Sequence, residues 1–371
     1  MTNKVHAIIG GFAMAVACGA QCAPVYQIES LGTLGGQSFA VGLSNSGDVT
    51  GVSGLANGLN SRAFLYSASQ SMVDIGTLGG PNSFGRAISA SGLVAGSSET
   101  FGAGQHAFLY SAGFGMVDLG TLGGLHSAAL GVNNAGQVTG DSSTTGIGSD
   151  HAFLYSSGVM TDIGTLGGSF SAGYAINDVG QVAGSSATGN DASSRAFLYE
   201  AGVMSDLGTL SGRASSEGLA LNNLGQVAGG AWGPMLSEHA FLYSNGVMTD
   251  LGTLGGSSSV AWGINDHGSV TGWSNKFGHS EQTAFLYADS VMSDLNSLLD
   301  PISGAGWNLI TAHDINDAGQ IVGYGTINGE YRAFLLTPLS VPEPGELGLV
   351  MLSLVLLRAV GTKSSAKRTN P

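Results

Sequence analysis

The side chains best placed for chemistry are a recurring Asp and, eleven or twelve residues before it, a His or Arg. Asp74, Asp118, Asp162, Asp206, Asp250 and Asp294 fall 44 residues apart; His106, His151 and His239, or Arg62 and Arg195, stand ahead of five of them. A ring of such carboxylates could bind cations, and each pair could equally brace one hairpin from within. Repetition favours the brace, because a single site on a repeated scaffold needs only one or two distinctive copies. The six Asp residues are therefore expected to be structural.

Other catalytic signatures are missing. The sequence contains no H-E-x-x-H helix, no G-x-S-x-G elbow and no G-x-x-x-x-G-K-[ST] phosphate loop. Its Asn-Asp turns lack the alternating oxygen ligands ending in Glu that a calcium loop requires. No metal site and no cofactor is expected. An enzyme whose site is assembled from several repeats, without a local motif, is the competing class.

The elements that must position these residues come from an internal repeat. An Ala-Phe-Leu-Tyr box places Phe64, Phe108, Phe153, Phe197, Phe241, Phe285 and Phe334 in register. A second box, Asn-Asn/Asp-x-Gly-x-Val-x-Gly in its fullest form, places Gly47, Gly92, Gly136, Gly180, Gly225, Gly268 and Gly319. Each unit reads as four short strands. Ala175-Ile176 leads into the turn Asn177-Asp178-Val179-Gly180, and Gln181 to Gly184 returns. Ala196 to Tyr199 is the third strand, and Val247 to Leu254 typifies the fourth. Apolar residues on both strand faces predict sheets covered on both sides. Four strands per unit and a period in the low forties predict an all-β fold, a seven-bladed β-propeller over residues 24–340. The chain starts with a lone fourth-strand box, Val25 to Gly36, and its last box is a third strand, Arg332 to Leu336. Strands from both termini should therefore complete the last blade and leave no open edge. A linear β-solenoid is the competing architecture.

Charge narrows the partners. The 371-residue chain has a formal charge of −14, and between Ala23 and Glu343 there are 24 acidic against six basic side chains. Such a surface repels phosphate backbones, so no nucleic-acid partner is expected. The two cysteines, Cys18 and Cys22, both lie near the N-terminus, and none remains to cross-link the body.

Both ends read as addresses. Met1 to Ala23 has Lys4, an apolar run from Ala7 to Ala17 and then small residues, the pattern of a secretory signal peptide with cleavage after Ala20. Lipid attachment at Cys18 is the alternative. At the other end, Val341-Pro342-Glu343-Pro344 precedes an apolar run from Leu347 to Leu357, followed by Arg358, Lys363, Lys367 and Arg368. Residues 341–371 resemble the PEP-CTERM sorting tail of Gram-negative bacteria, although their basic residues are scattered instead of clustered. The resemblance implies transient anchoring in the inner membrane and removal by an exosortase-type enzyme, after signal peptidase has acted at the N-terminus. A permanent single-span anchor is the alternative. His-Ala-Phe-Leu-Tyr followed by D-L-G-T-L-G-G, as in His239 to Gly256, resembles the HAF-repeat extracellular proteins. That resemblance implies secretion and repetition and brings no established activity.

Binding is expected where the repeat varies. The second-to-third strand loops and between-blade connections differ most, and aromatics that the repeat does not demand include Trp232, Trp262, Trp273, Phe277, Trp307 and Tyr324. Aromatic faces with few charges suit sugar rings. The preferred expectation is a secreted, non-catalytic module that binds glycan at the cell surface or in the exopolysaccharide matrix. The alternatives are a polysaccharide-acting enzyme and a purely structural matrix protein.

Overall fold

A computed structural model describes residues 24–339 except 103, 146–148 and 234–236. The signal segment at 1–23 and the sorting motif Val341, Pro342, Glu343 and Pro344 lie outside the described residues. Twenty-eight strands form seven four-stranded antiparallel sheets, with two short 3-10 turns and no α-helix among the described residues. Blades 1 to 6 span 35–74, 79–118, 123–162, 167–206, 215–252 and 255–294. Blade 7 takes three strands from 307–338 and its outermost strand from Tyr26–Ser30. The first strands of successive blades pack against one another in a closed cycle, so they line the axis, and the fourth strands lie outermost. This is a seven-bladed β-propeller.

Within each blade the core follows from one row of residues. Gly184 of the second strand is registered against Phe197 of the third, which is registered against Asp206 of the fourth. All seven phenylalanines of this row are fully buried. Each ring lies over a glycine because no side chain could stand there. A Cβ on Gly51, Gly96, Gly140, Gly184, Gly229, Gly272 or Gly323 would run into a carbonyl oxygen of the first strand.

The strand boundaries differ from the sequence expectation in one respect. The first strand is long, Gly167–Ile176 in blade 4, and the fourth is usually short, Val203–Asp206. The Gly-Thr-Leu-Gly-Gly box is therefore mostly a crossing to the next blade. At the N-terminus, likewise, Tyr26–Ser30 ends blade 7 and Gly35 already starts blade 1.

Neighbouring blades are tied by two sets of polar staples. On the side of the crossings, a buried serine at the inner edge of one blade accepts from the third strand of the blade before. Ala196 N–H donates to Ser216 Oγ at 2.9 Å, and Ser216 Oγ–H donates to the Gly208 carbonyl. The same pair of bonds joins blade 7 to blade 1, where Ala333 N–H donates to Ser38 at 3.0 Å. Blade 7 has Leu309 at the register position of that serine, opposite Gly325, and Asn296 exchanges two bonds with its backbone.

On the opposite face, the Asn-Asn/Asp turns do more than close hairpins. Their glycine has φ between +73° and +87° in all seven copies, the region that L side chains avoid. The first Asn of the turn donates its Nδ2–H to the equivalent carbonyl of the next blade, as Asn177 does to Asn222 at 3.1 Å. The second position accepts from the backbone N–H of the preceding blade, as Asp178 does from Asn134 at 3.0 Å. The second set of bonds runs from blade 2 round to blade 1 and breaks between blades 1 and 2, where Ala90 has no side-chain acceptor; the first set starts only at Asn133 of blade 3, since Ser44 and Ser89 hold that position in blades 1 and 2.

Candidate functional site

The six Asp of the repeat lie on the outer rim. Asp250 faces His239 Nδ1 at 2.9 Å across its hairpin and also accepts from Gly252 N–H at 2.8 Å. Asp118 and Asp162 hold His106 and His151 in the same way, and Asp74 faces Arg62 at 3.6 Å. Asp206 caps Gly208 alone, while Arg195 turns to the Ala214 carbonyl; Asp294 faces Lys276 and caps Asn296. Every one ties a fourth strand to the crossing that follows it. No group of three or more His, Cys, Asp or Glu among the described residues is placed to hold a metal.

Concavity lies instead on the axis. A cavity of about 690 Å³, in the size range of small-molecule sites, opens through the ring of Asn/Asp turns. Among its lining each blade contributes one equivalent residue, Val41, Arg86, Leu130, Tyr174, Leu219, Trp262 and His313, each six positions before the turn glycine. In every blade this residue is skipped in the pairing of first and second strands; Gly173 pairs with Gly184 and Ala175 with Ala183, leaving Tyr174 unpaired. The irregularity recurs at Val41, Arg86, Leu130, Leu219, Trp262 and His313. A β-bulge re-aims its extra side chain, and here seven bulges deliver seven side chains to the axis.

The wall has two sides of different chemistry. Across blades 6, 7 and 1 runs an aromatic path. The Trp262 and His313 rings are 5.5 Å apart, His313 and Tyr324 5.8 Å, and Tyr324 and Phe39 5.0 Å. Blades 2 to 4 bring Arg86, Asp141 and Tyr174, with Ser97 and Gln105, bonded to each other at 2.7 Å, in the same lining, and Glu217 of blade 5 acts on Tyr174 by its charge. Burial pushes the Asp141 carboxyl up to about 6, helped by Asp150 and opposed by Arg86. Burial raises Glu217, and burial with the Glu217 charge takes the Tyr174 hydroxyl up to about 12. Burial holds the His313 imidazole down at about 4, with the Arg86 charge adding to the effect, so the ring is neutral above that pH.

Asp314 also lines the cavity, at the junction of blades 7 and 1. Its Oδ2 accepts from Leu43 N–H at 2.8 Å, yet burial outweighs this bond and that from Ile315, taking the carboxyl up to about 7. A pKa raised by folding favours the protonated form. The stability it supports is full below the ordinary value near 4 and is lost as pH rises through about 7. Asp314→Asn, which keeps an acceptor oxygen, should raise the melting temperature at pH 8 by several degrees and change it little at pH 4.5. A variant that melts lower at both pH values would show that the ionised carboxylate supports the junction.

Of the six aromatics singled out in the sequence, the structure places only Trp262 in the cavity wall. Tyr324 joins it through His313. Trp273 is half-buried in blade 6, registered between Val260 and Ala284. Trp232 lies at the far end of a second strand in blade 5, opposite Ser215 and Glu238. Trp307 packs edge-on against the core Phe334 at 6.2 Å, and Phe277 projects from a loop, 85% exposed. These six do not form one site. Missed in the sequence were Arg86, Asp141, Tyr174 and His313. A signal for the wall existed: six places before each turn glycine the residue type changes from copy to copy, while small residues recur just after it.

No protein-family model matches this sequence, nor does any curated protein. Among solved structures, the β-propeller domain of the Trilobed protease from Pyrococcus furiosus is similar, with a TM-score of 0.51 at 10% identity over 83% of this chain and 99% of that one. A TolB-type protein from Agrobacterium tumefaciens gives 0.44 at 12% identity, covering 86% and 100%. A gluconolactonase from Xanthomonas campestris gives 0.38 at 9% identity, covering 86% and 96%. At these identities the likeness concerns the fold alone. The class defined is thus a β-propeller whose ring is closed by its own N-terminal strand and whose axial cavity is built from bulges.

Proposed function

We propose that this chain is a secreted, non-catalytic binding module of the cell surface or exopolysaccharide matrix, and that a saccharide unit occupies its axial cavity. The observation carrying this reading is the pairing of the Trp262–His313 aromatic path with hydrogen-bonding groups across one cavity of about 690 Å³. A sugar ring has apolar C–H faces that stack on aromatics and hydroxyls that need donors and acceptors at their edges. The export signal at residues 1–23 and the PEP-CTERM-like tail at 341–371 support delivery to the outside of the cell, with signal peptidase and an exosortase-type enzyme as processing partners. The resemblance to HAF-repeat extracellular proteins fits the same destination.

A glycan-binding screen of the chain, run beside an assay for released reducing sugar, tests this. Trp262→Ala should weaken binding at least about tenfold, the effect of losing one stacking and burial contact worth about 1.5–3 kcal/mol. Trp232→Ala and Phe277→Ala should leave binding unchanged. Binding that survives Trp262→Ala but is lost with Trp232→Ala would move the site to the loop face. Release of reducing sugar abolished by Asp141→Asn would place the protein among polysaccharide-acting enzymes, for which carboxyls of raised pKa are suited. Absence of both signals leaves a structural matrix protein.

A further inference from the structure

The described residues contain six basic side chains, and five of them are engaged by protein. Arg62 faces Asp74, Arg195 donates to the Ala214 carbonyl and Arg213 to Ser237. Lys276 faces Asp294, and Arg332 faces Glu330. Arg86 is the exception: among the described residues it makes no hydrogen bond and no ion pair. It is also the only basic side chain lining the axial cavity. A bulge aims it there, and the wall around it strips enough water to lower its pKa below the usual arginine value, against the opposing pull of Asp141. A guanidinium held partly out of water without a partner is costly, and a surface of net negative charge offers it many carboxylates it does not use.

We propose that Arg86 is the anchor for the carboxylate of an acidic sugar, a uronate unit, whose ring lies against Trp262 and His313. The inference rests on the saccharide-binding reading of the same cavity. A guanidinium fork matches a planar carboxylate with two parallel N–H···O bonds. Arg86 stands on blade 2 and Trp262 on blade 6, three blades apart round the ring, so one ligand spanning the cavity meets both. Asp141 and Asp314 line the same cavity, and they disfavour an anion carrying two charges, such as a phosphate ester, more than one carrying a single charge. Ser97, Gln105 and Tyr174 on the Arg86 side supply groups for ring hydroxyls.

The test is calorimetric titration of the full-length chain with an oligouronate, the corresponding neutral oligosaccharide and a sulfated one of equal length. The oligouronate should bind at least about tenfold more tightly than the neutral sugar, as one charge-assisted bidentate contact provides. Arg86→Gln should remove that preference, so that the oligouronate and the neutral sugar bind the variant alike, and Arg86→Lys, which keeps charge but not the fork, should retain part of it. Equal affinity for acidic and neutral ligands in the native protein overturns the carboxylate anchor and leaves the saccharide reading standing. Persistence of the preference in both Arg86 variants, with melting temperatures unchanged, overturns it too. Tighter binding of the sulfated ligand replaces carboxylate by sulfate and overturns the uronate assignment. Failure of all three sugars to bind removes the saccharide reading itself.

Discussion

A chain shortened to begin at residue 35 should melt at least about 10 °C lower than the full propeller and should self-associate on warming. The segment removed contributes Tyr26, Ile28 and Leu31, at 3%, 6% and 3% exposure, to the cores of blade 7 and its junction with blade 1. Each buried side chain of this size is worth about 1.5–3 kcal/mol, so together they supply several kcal/mol. In a domain this large each kcal/mol shifts the melting temperature by about 2–4 °C. Tyr26–Ser30 also covers the outer edge of blade 7 through five register pairs with residues 334–338. Without it that edge presents free N–H and C=O groups to any passing strand, which is why association accompanies the loss. Thermal melts followed by light scattering check both effects. A melting point within about 2 °C of the full chain would mean that the ring does not depend on its N-terminal strand.

Gly184→Ala should destabilise the propeller by about 3 kcal/mol or more, a large effect for adding one methyl group. The new Cβ would press on the Ala172 carbonyl oxygen on one side and on the Phe197 ring on the other. Neither can give way cheaply, since the oxygen belongs to the backbone of the first strand and the ring is fully buried in the blade core. Alanine at Gly202 is the matched control: that glycine also sits in blade 4, nothing lies within 4 Å of its added Cβ, and only the strain of its φ of +86° remains. Denaturant titration of the two variants separates a packing clash from a turn penalty. Similar losses would show that the Gly184–Phe197 pairing tolerates expansion.

These two predictions mark how far the sequence could be read. The unit of four strands, the seven copies and the closing N-terminal strand were legible because each depends on local spacing, and the copies average out local ambiguity. Gly184 was visible as part of a repeated box, but its reason was not: only the register against Phe197 shows what the missing Cβ makes room for. The Asn-Asp turns were legible as hairpins. Their second task, bonding the next blade at Asn222 and Asn223, joins residues 45 apart and needs the ring to exist.

The candidate site divides in the same way. Trp262 drew notice by its type, as did Trp273 and Trp307, yet one faces the axis, one lies half-buried between strands and one packs on Phe334. In a strand, a slip of one residue sends a side chain to the other face, and the bulge before each turn makes that slip in all seven blades. Arg86 was one unremarkable basic residue among six until its neighbours showed that the other five were engaged. By itself the sequence determined the architecture, because hairpin chemistry and burial patterns act between residues close along the chain. Which side chains share the axis was decided only by the tertiary structure, because seven blades must close before residues 41, 86, 130, 174, 219, 262 and 313 face one another.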